Sequence, residues 1–325
     1  MLPFSPNTLP PSRVFAAPSI EQEAPSRTHA LVSSFSLLLV STRPREWIKN
    51  VFVFAALFFS KNLFNITLLP RACLMFGLYC MVAGGVYLMN DIKDRAADRR
   101  HPQKRTRPIA SGALPVTLAA PVALVLLLLA VGGAWLLRPA CGLIIASYAL
   151  INVAYSQWLK RVVILDVFAI ATGFVLRVMA GAVVIDVVMS HWLLVCTMLL
   201  ALFLGFSKRR CELVTLTNKA SQHRGVLTEY DLPFLDVLIG IVTSAVIVGY
   251  TLYTISSETI ARSLTDKLLL TVPIVLYSIF RYLYLVYHRN DGGNPAYALL
   301  TDGPLRLSIV LWGLVSVLIL YTAPL

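Results

Sequence analysis

The sequence predicts an all-α, polytopic membrane helix bundle of nine transmembrane helices, and three observations carry that prediction. Hydrophobic residues make up 58% of the chain and charged residues only 14%, against about 25% charged in an average soluble domain. Apolar runs long enough, or nearly so, to cross about 30 Å of hydrocarbon recur along the chain. Lysine and arginine gather on alternate connections between those runs, as the positive-inside rule requires. A single globule has no interior large enough for this much apolar surface, so lipid must be the solvent for much of it.

The first 31 residues stand apart. Six prolines lie between Met1 and Ala30, with several serines and no helical periodicity, so 1–31 reads as a disordered tail. It lacks the continuous apolar core and the cleavage site of a signal peptide. Residues 32–325 then form one transmembrane catalytic domain. Its first apolar stretch, 31–40, is too brief to span and suits the membrane interface.

The nine spans fall at about 47–64, 68–90, 113–137, 139–156, 162–187, 190–207, 232–255, 268–288 and 305–323. Only Arg138-Pro139 separates the third from the fourth, which predicts a tight helical hairpin. With the N-terminus inside, 21 lysines and arginines lie on the cytoplasmic side. Five lie opposite: Lys61, Arg71, Arg138, Arg262 and Lys267. That split puts the N-terminus in the cytoplasm and the C-terminus outside an inner (plasma) membrane crossed many times. Two arginines, Arg177 and Arg281, sit within spans, where a charge is costly and faces a cavity or a partner. The five cysteines are scattered without a CxxC pair and read as small buried hydrophobes.

The unusual polar clusters all fall on the cytoplasmic face. Asn90-Asp91-Ile92-Lys93-Asp94-Arg95-Ala96-Ala97-Asp98 leaves the second span. On a continuous helix Asp91, Asp94 and Asp98 would share one face. Three stacked carboxylates repel one another unless a cation neutralises them, and Mg²⁺ prefers such oxygens together with water and substrate phosphates. The plainer alternative is a solvated helix whose aspartates pair with Lys93, Arg95, Arg99 and Arg100. The basic run that follows, with Lys104 and Arg107, is placed to hold phosphate oxygens that a metal does not reach. His101 reads as a loop residue. An Asp-rich, Mg²⁺-dependent diphosphate site results.

From Asn90 to Gly112 the pattern NDxxDxxxDxxHPxKxxRPxAxG resembles the first Asp-rich motif of the UbiA superfamily of intramembrane prenyltransferases. The resemblance covers roughly residues 43–323. Where a second, DxxxD-like stretch is expected after the fourth span, this chain has Tyr155, Lys160 and a single aspartate, Asp166, with Ile170 four residues on. That form is similar to the decaprenyl-phosphate phosphoribosyltransferase branch. So are Arg-Pro-Arg-Glu-Trp-Ile-Lys-Asn at 43–50, Gly-Phe-Val-Leu-Arg at 173–177, Lys-Arg-Arg-Cys-Glu-Leu at 208–213 and Thr-Asp-Gly-Pro-Leu at 301–305.

The resemblance implies a donor, phosphoribosyl pyrophosphate, and an acceptor, a polyprenyl phosphate lipid, with Mg²⁺ on Asp91, Asp94 and Asp98. The product would feed arabinose-containing cell-envelope polymers. The metal ligands and Asp166 are then the catalytic set, and Asp166 binds a donor hydroxyl, ligates metal or orients a basic residue. Lys49, Asn90, Lys104, Arg107, Tyr155, Lys160, Arg177, Lys208 and Arg209 are the substrate-binding candidates. For Arg177 the plainer alternative is pairing with an internal carboxylate or carbonyls; for Lys208, an i,i+4 pair with Glu212; for Arg281, a packing role instead of the lipid phosphate. No nucleic-acid partner is expected, and a homo-oligomer is compatible. Two rivals stand beside this reading: a prenyltransferase of the same fold acting on an aromatic acceptor, and a lipid or metabolite transporter. No internal repeat or broken helix pair supports the transporter.

Overall fold

A computed structural model describes residues 27–102, 104–215, 225–289, 293 and 295–322. The expected tail lies outside the described residues as far as residue 26. From Arg27 to Ser41 the chain is helical (α1).

Every regular element among the described residues is helical. Eight helical segments are long and apolar enough to cross a membrane: α3 (Leu68–Lys93), α6 (Val116–Leu137), α7 (Pro139–Gln157), α8 (Leu165–Val184), α9 (His191–Thr215), α10 (Leu232–Ile255), Lys267–Arg289 and α14 (Gly303–Thr322). Within Lys267–Arg289 the α-helix proper is α12 (Val272–Tyr284). Short helices fill the ends: α4 (Arg95–Arg100), α5 (Pro108–Ser111), α11 (Ser257–Ser263) and α13 (Pro295–Thr301). As expected, α6 and α7 form a hairpin hinged at Arg138, whose backbone is extended.

The first expected span, 47–64, differs. It is a 3₁₀ helix, Pro44–Phe54, running into one short α-helix, α2 (Ala55–Phe59), so length and composition confirm eight spans and not nine. A 3₁₀ helix rises about 2.0 Å per residue against about 1.5 Å in an α-helix. The segment therefore reaches about 30 Å with few residues. It runs the length of the bundle: Arg43, just before it, meets Asp91 at one end of α3, and Leu63, just after it, bonds Tyr321 near the end of α14. Arg43 turns the chain in through a left-handed backbone, and Pro44 starts the helix.

The two central helices are α3 and α8. Their spanning windows are 61% and 56% buried, against 17% for α6, so α6 presents leucines to lipid while α3 and α8 face protein. Two apolar cores meet on α8. Its first half (Val167, Ala171) packs with α9, α10 and α12. Its second half (Ala180, Ala182, Val184) packs with the 3₁₀ segment, α3, α6 and α7. A smaller cluster of Leu88, Ile109, Leu114, Ala119 and Ala123 seats α5 against α3 and α6, fixing the loop after the aspartates.

Gly181 allows the 3₁₀ segment its depth. A Cβ there would lie 1.9 Å from the Val53 carbonyl oxygen, a collision with backbone that no side-chain motion relieves. Gly181→Ala is expected to cost about 1–3 kcal/mol, read as a lower melting temperature in detergent. Gly313→Ala, with open space around it, should melt as the parent does.

Candidate active site

The α3 helix ends one residue before Asp94, which occupies the turn, and α4 starts at Arg95. This corrects the picture of three aspartates on one continuous helix. Asp91 and Asp98 are both buried, at 4% exposure, and converge on one guanidinium. Arg107 Nη1 donates to Asp91 Oδ1 at 3.1 Å and to Asp98 Oδ2 at 2.7 Å. Arg43 Nη2 donates to the same Asp91 oxygen at 2.5 Å, while its guanidinium stacks over Tyr87 at 4.7 Å. Asp94 points elsewhere, and Lys160 Nζ lies 3.3 Å from both its carboxylate oxygens. Three cations thus face three carboxylates, one of them shared between Asp91 and Asp98, which answers the mutual repulsion that burial makes severe.

Of the predicted substrate-binding lysines, Lys49 and Lys208 gather with Arg43 around Glu46, and Lys104 lies on the loop after α4. Lys49 pairs with Glu46, and Lys208 lies 3.9 Å from Glu212, as i,i+4 spacing anticipates. Glu46 is in the electrostatic reach of Lys49, Lys208 and Arg43 together, so the start of the 3₁₀ segment and the end of α9 share one basic rim. Lys104 sits half-buried on the 3₁₀ turn Lys104–Thr106, where its backbone N–H donates to His101 Nδ1 at 3.3 Å. His101 itself sits in the bend before that turn. Asn90 is half-exposed in the last turns of α3, and Tyr155 half-buried in those of α7.

Asp166 and Arg209 are set back from this rim. Both are fully buried, and Arg209 Nε is 3.0 Å from Asp166 Oδ2. Arg209 also pairs with Glu212. Tyr230 donates its hydroxyl to Asp166 Oδ1 at 2.8 Å and accepts from the Ile164 N–H at 2.7 Å. Ile164 has φ 67° and ψ −48°, with the Leu165 N–H bonded to the Val163 carbonyl. That is a γ-turn, rare and strained, especially for a β-branched residue. Its cost of about 1–3 kcal/mol is borne beside the buried aspartate. Of the roles open to Asp166, this geometry matches the orienting of a basic residue.

Arg177 is farther along α8 and closed in. Its Nε donates to Asn50 Oδ1, its Nη1 to the Gly173 carbonyl and its Nη2 to the Tyr148 hydroxyl, all at 2.8–2.9 Å. Tyr148 and Phe174 stack on the guanidinium. It ties the 3₁₀ segment to α7 and α8. Arg281 is held by both carboxylate oxygens of Asp302 at 3.0 and 2.7 Å, and Asp302 in turn accepts from the Leu305 N–H. Those bonds, the Arg281 pair foremost, hold the Asp302 carboxyl below its ordinary value, and the motif at 301–305 joins α12 to α14.

Three groups were missed among the candidate residues. Arg43 lay in the quoted Arg-Pro-Arg-Glu-Trp run, but nothing in its spacing linked it to Asp91, 48 positions on. Tyr230 and Asn50 carry no motif that points to Asp166 or Arg177. Among the described residues no cluster of three His, Cys, Asp or Glu side chains is gathered ready for a metal. The donor set still suits one. Asp91 Oδ1 and Asp98 Oδ2 already share a single cationic group, so they are close enough to share a small hard cation once Arg107 turns aside, and Asp94 would join them by turning from Lys160.

Residues 50–301 match the family model described as the UbiA prenyltransferase family. A decaprenyl-phosphate phosphoribosyltransferase of Corynebacterium glutamicum is 30% identical over 295 residues, covering 88% of this chain and 87% of the relative. One of the same name from Mycobacterium tuberculosis is 31% identical over 277 residues, covering 83% and 89%. Among solved structures, a UbiA homolog from Archaeoglobus fulgidus bound to DMAPP and Mg²⁺ superposes with a TM-score of 0.66 at 17% identity, over 88% of this chain and 99% of that one. That likeness establishes the shared fold.

Proposed function

The chain belongs to the UbiA prenyltransferase family, and from that membership we propose that it is a membrane phosphoribosyltransferase. It moves the 5-phosphoribosyl group of phosphoribosyl pyrophosphate to a polyprenyl phosphate of the decaprenyl type and releases pyrophosphate. The product feeds polyprenylphosphoryl-arabinose and cell-envelope arabinan synthesis. The observation that carries this reading is the set of cations that faces the three aspartates, each able to exchange a carboxylate for a phosphate oxygen. Arg43, Arg107 and Lys160 contact the three aspartates directly, while Lys49 and Lys208 pair with Glu46 and Glu212, with Arg43 in reach of the same Glu46. A prenyl diphosphate with a neutral acceptor presents one anionic group. This donor and acceptor together present three: the diphosphate, the 5-phosphate and the lipid phosphate.

In the reaction a phosphate oxygen of the acceptor bonds to the ribose anomeric carbon. The bond from that carbon to the pyrophosphate oxygen breaks, and its electron pair leaves with pyrophosphate. The acceptor phosphate is ionised near neutral pH, so no strong general base is required. Asp91, Asp94 and Asp98 would hold Mg²⁺, which when bound neutralises the departing diphosphate. Arg43, Arg107 and Lys160 turn from carboxylate to phosphate oxygens, a partner that guanidinium binds in bidentate fashion. Asp166 and Tyr230 keep Arg209 and the head of α8 in place.

Protein in detergent, supplied in turn with phosphoribosyl pyrophosphate and with a prenyl diphosphate, should release pyrophosphate and form a ribosylated lipid only with the first. Turnover of the prenyl donor alone would refute the assignment.

In a plasma membrane the basic rim faces the cytosol, where the donor is made, with the N-terminus inside and the C-terminus outside. A membrane-impermeant thiol label applied to intact cells should miss a cysteine placed at Arg105 and reach one at Ser257. The opposite pattern would invert the topology.

A further inference from the structure

A cleft runs between the cytoplasmic ends of α3 and α7. Its walls are mostly apolar, Val86 and Met89 of α3 and Val153 of α7 beside Asn152, whose amide donates back to the Tyr148 carbonyl, and its head is polar, with Asn90, Lys93 and Ser156. On α3 these positions follow helical spacing (86, 89, 90, 93), so one stripe passes from apolar to polar as it climbs. Three features mark the head as built to receive an anion. Lys93 Nζ donates to the Ser156 carbonyl and to Gln157 Oε1, both at 2.8 Å, which fixes the ammonium at the mouth with a third N–H left over. Ser156 is 6% exposed, and its hydroxyl has no hydrogen-bond partner among the described residues. A serine in a helix ordinarily bonds back to its own backbone, and burying a hydroxyl without a partner is costly, so this one awaits an acceptor. The third feature is position. Asn90 is one helical turn, about 6 Å, below Asp94, and Asp94 faces Lys160. Met89, 39% exposed, opens the lower wall toward lipid.

We propose that this cleft is the acceptor subsite: it takes the head of a polyprenyl phosphate, with the phosphate against Lys93, Asn90 and Ser156 and the first isoprene units along Val86, Met89 and Val153. The identity of the lipid rests on the function proposed above. The amphiphilic lining does not. A free phosphate has no use for the apolar walls, and a neutral isoprenoid has none for a fixed ammonium and an unsatisfied hydroxyl. Bound there, the phosphate oxygen lies one turn from the carboxylates that manage the donor's diphosphate, on the membrane side, so the lipid never has to leave the bilayer.

Photolabelling tests the site without turnover. A benzophenone-tagged farnesyl phosphate should label peptides containing 86–93 or 152–157. Farnesyl phosphate should displace it at concentrations at least about tenfold lower than inorganic phosphate or farnesol requires. Met89→Trp and Val153→Trp narrow the walls and should cut labelling while the protein still elutes as a folded species in detergent. In steady-state assays Lys93→Met should raise KM for the lipid about tenfold, the scale of one charge-assisted hydrogen bond, with KM for phosphoribosyl pyrophosphate unchanged, and Lys93→Arg should restore most of the loss. Labelling elsewhere in the chain would overturn the proposal. So would an equal rise in the KM of the sugar donor, or displacement by inorganic phosphate as effective as by the lipid, either of which would make the head of the cleft a donor site. Failure of the wild type to use the sugar donor while farnesyl phosphate still labels the cleft would refute the activity and leave the lipid site standing.

Discussion

Asp94→Asn is expected to lower turnover about 10²-fold or more while the protein inserts and folds as before. The size follows from the role: a group that acts through the charge developing in the transition state commonly contributes at this level. Intact folding follows from the structure. Asp94 lies in the turn between α3 and α4, its side chain is 40% exposed, and its one ion pair among the described residues is with the partly exposed Lys160. Such a pair contributes at most about 1 kcal/mol to stability, and asparagine keeps its size. Asp91 and Asp98 make poorer tests, because each is buried against Arg107 and its loss would strand a guanidinium. EDTA should silence the wild type and Mg²⁺ restore it. Full activity of Asp94→Asn, or of the wild type in metal-free buffer, would refute the metal site.

The second large effect is expected from Lys160→Ala, and it separates the two donors that this fold could serve. Losing a charge-assisted contact worth about 1.5–3 kcal/mol weakens donor binding roughly ten- to a hundredfold. If Lys160 recognises the 5-phosphate, the loss should be far greater for phosphoribosyl pyrophosphate than for the same sugar diphosphate lacking the 5-phosphate. Inhibition by ribose 5-phosphate should weaken in parallel. Equal penalties would assign Lys160 to the diphosphate, a result its place beside Asp94 makes informative. The 5-phosphate would then be sought at Lys49 and Lys208, across the rim. Binding should be measured directly as well as through KM, since the two differ when chemistry is not slow.

Much of this site was legible in the sequence because its parts are close along the chain. Asp91 to Arg107 is a run of 17 residues, and a loop that short brings a carboxylate and its guanidinium together with little help from the rest of the fold. The Lys208–Glu212 pair follows from helical spacing alone. What failed was the assumption of one continuous helix through Asp94. Helical spacing groups Asp91 with Asp98, seven positions on, but which cation each carboxylate meets, Arg107 for that pair and Lys160 for Asp94, is set by the loops that carry those cations. Arg177 shows the opposite limit. Its place inside a span announced a partner, and the Gly173 carbonyl one turn back is one, yet the other two, Asn50 and Tyr148, are 127 and 29 positions away and neither is a carboxylate.

By itself the sequence determined that the chain lives in lipid, that it is an all-helical bundle crossing the membrane many times, and that its polar clusters gather on alternate loops. Each of these depends on amounts and periods: too much apolar surface for one globule, runs as long as a bilayer is thick, and basic residues on alternate loops. Tertiary structure decided what depends on packing between distant segments. It made the first expected span a 3₁₀ segment and packed it close on α8, where Gly181 lets the Val53 carbonyl sit and any Cβ would collide. It drew Asp166 off the rim into a buried pair with Arg209, with Tyr230 holding both the carboxylate and the strained turn at Ile164. And it joined α3 to α7 in a cleft whose apolar walls and polar head come from residues some 60 positions apart, a relation set by how two helices cross and carried by neither helix alone.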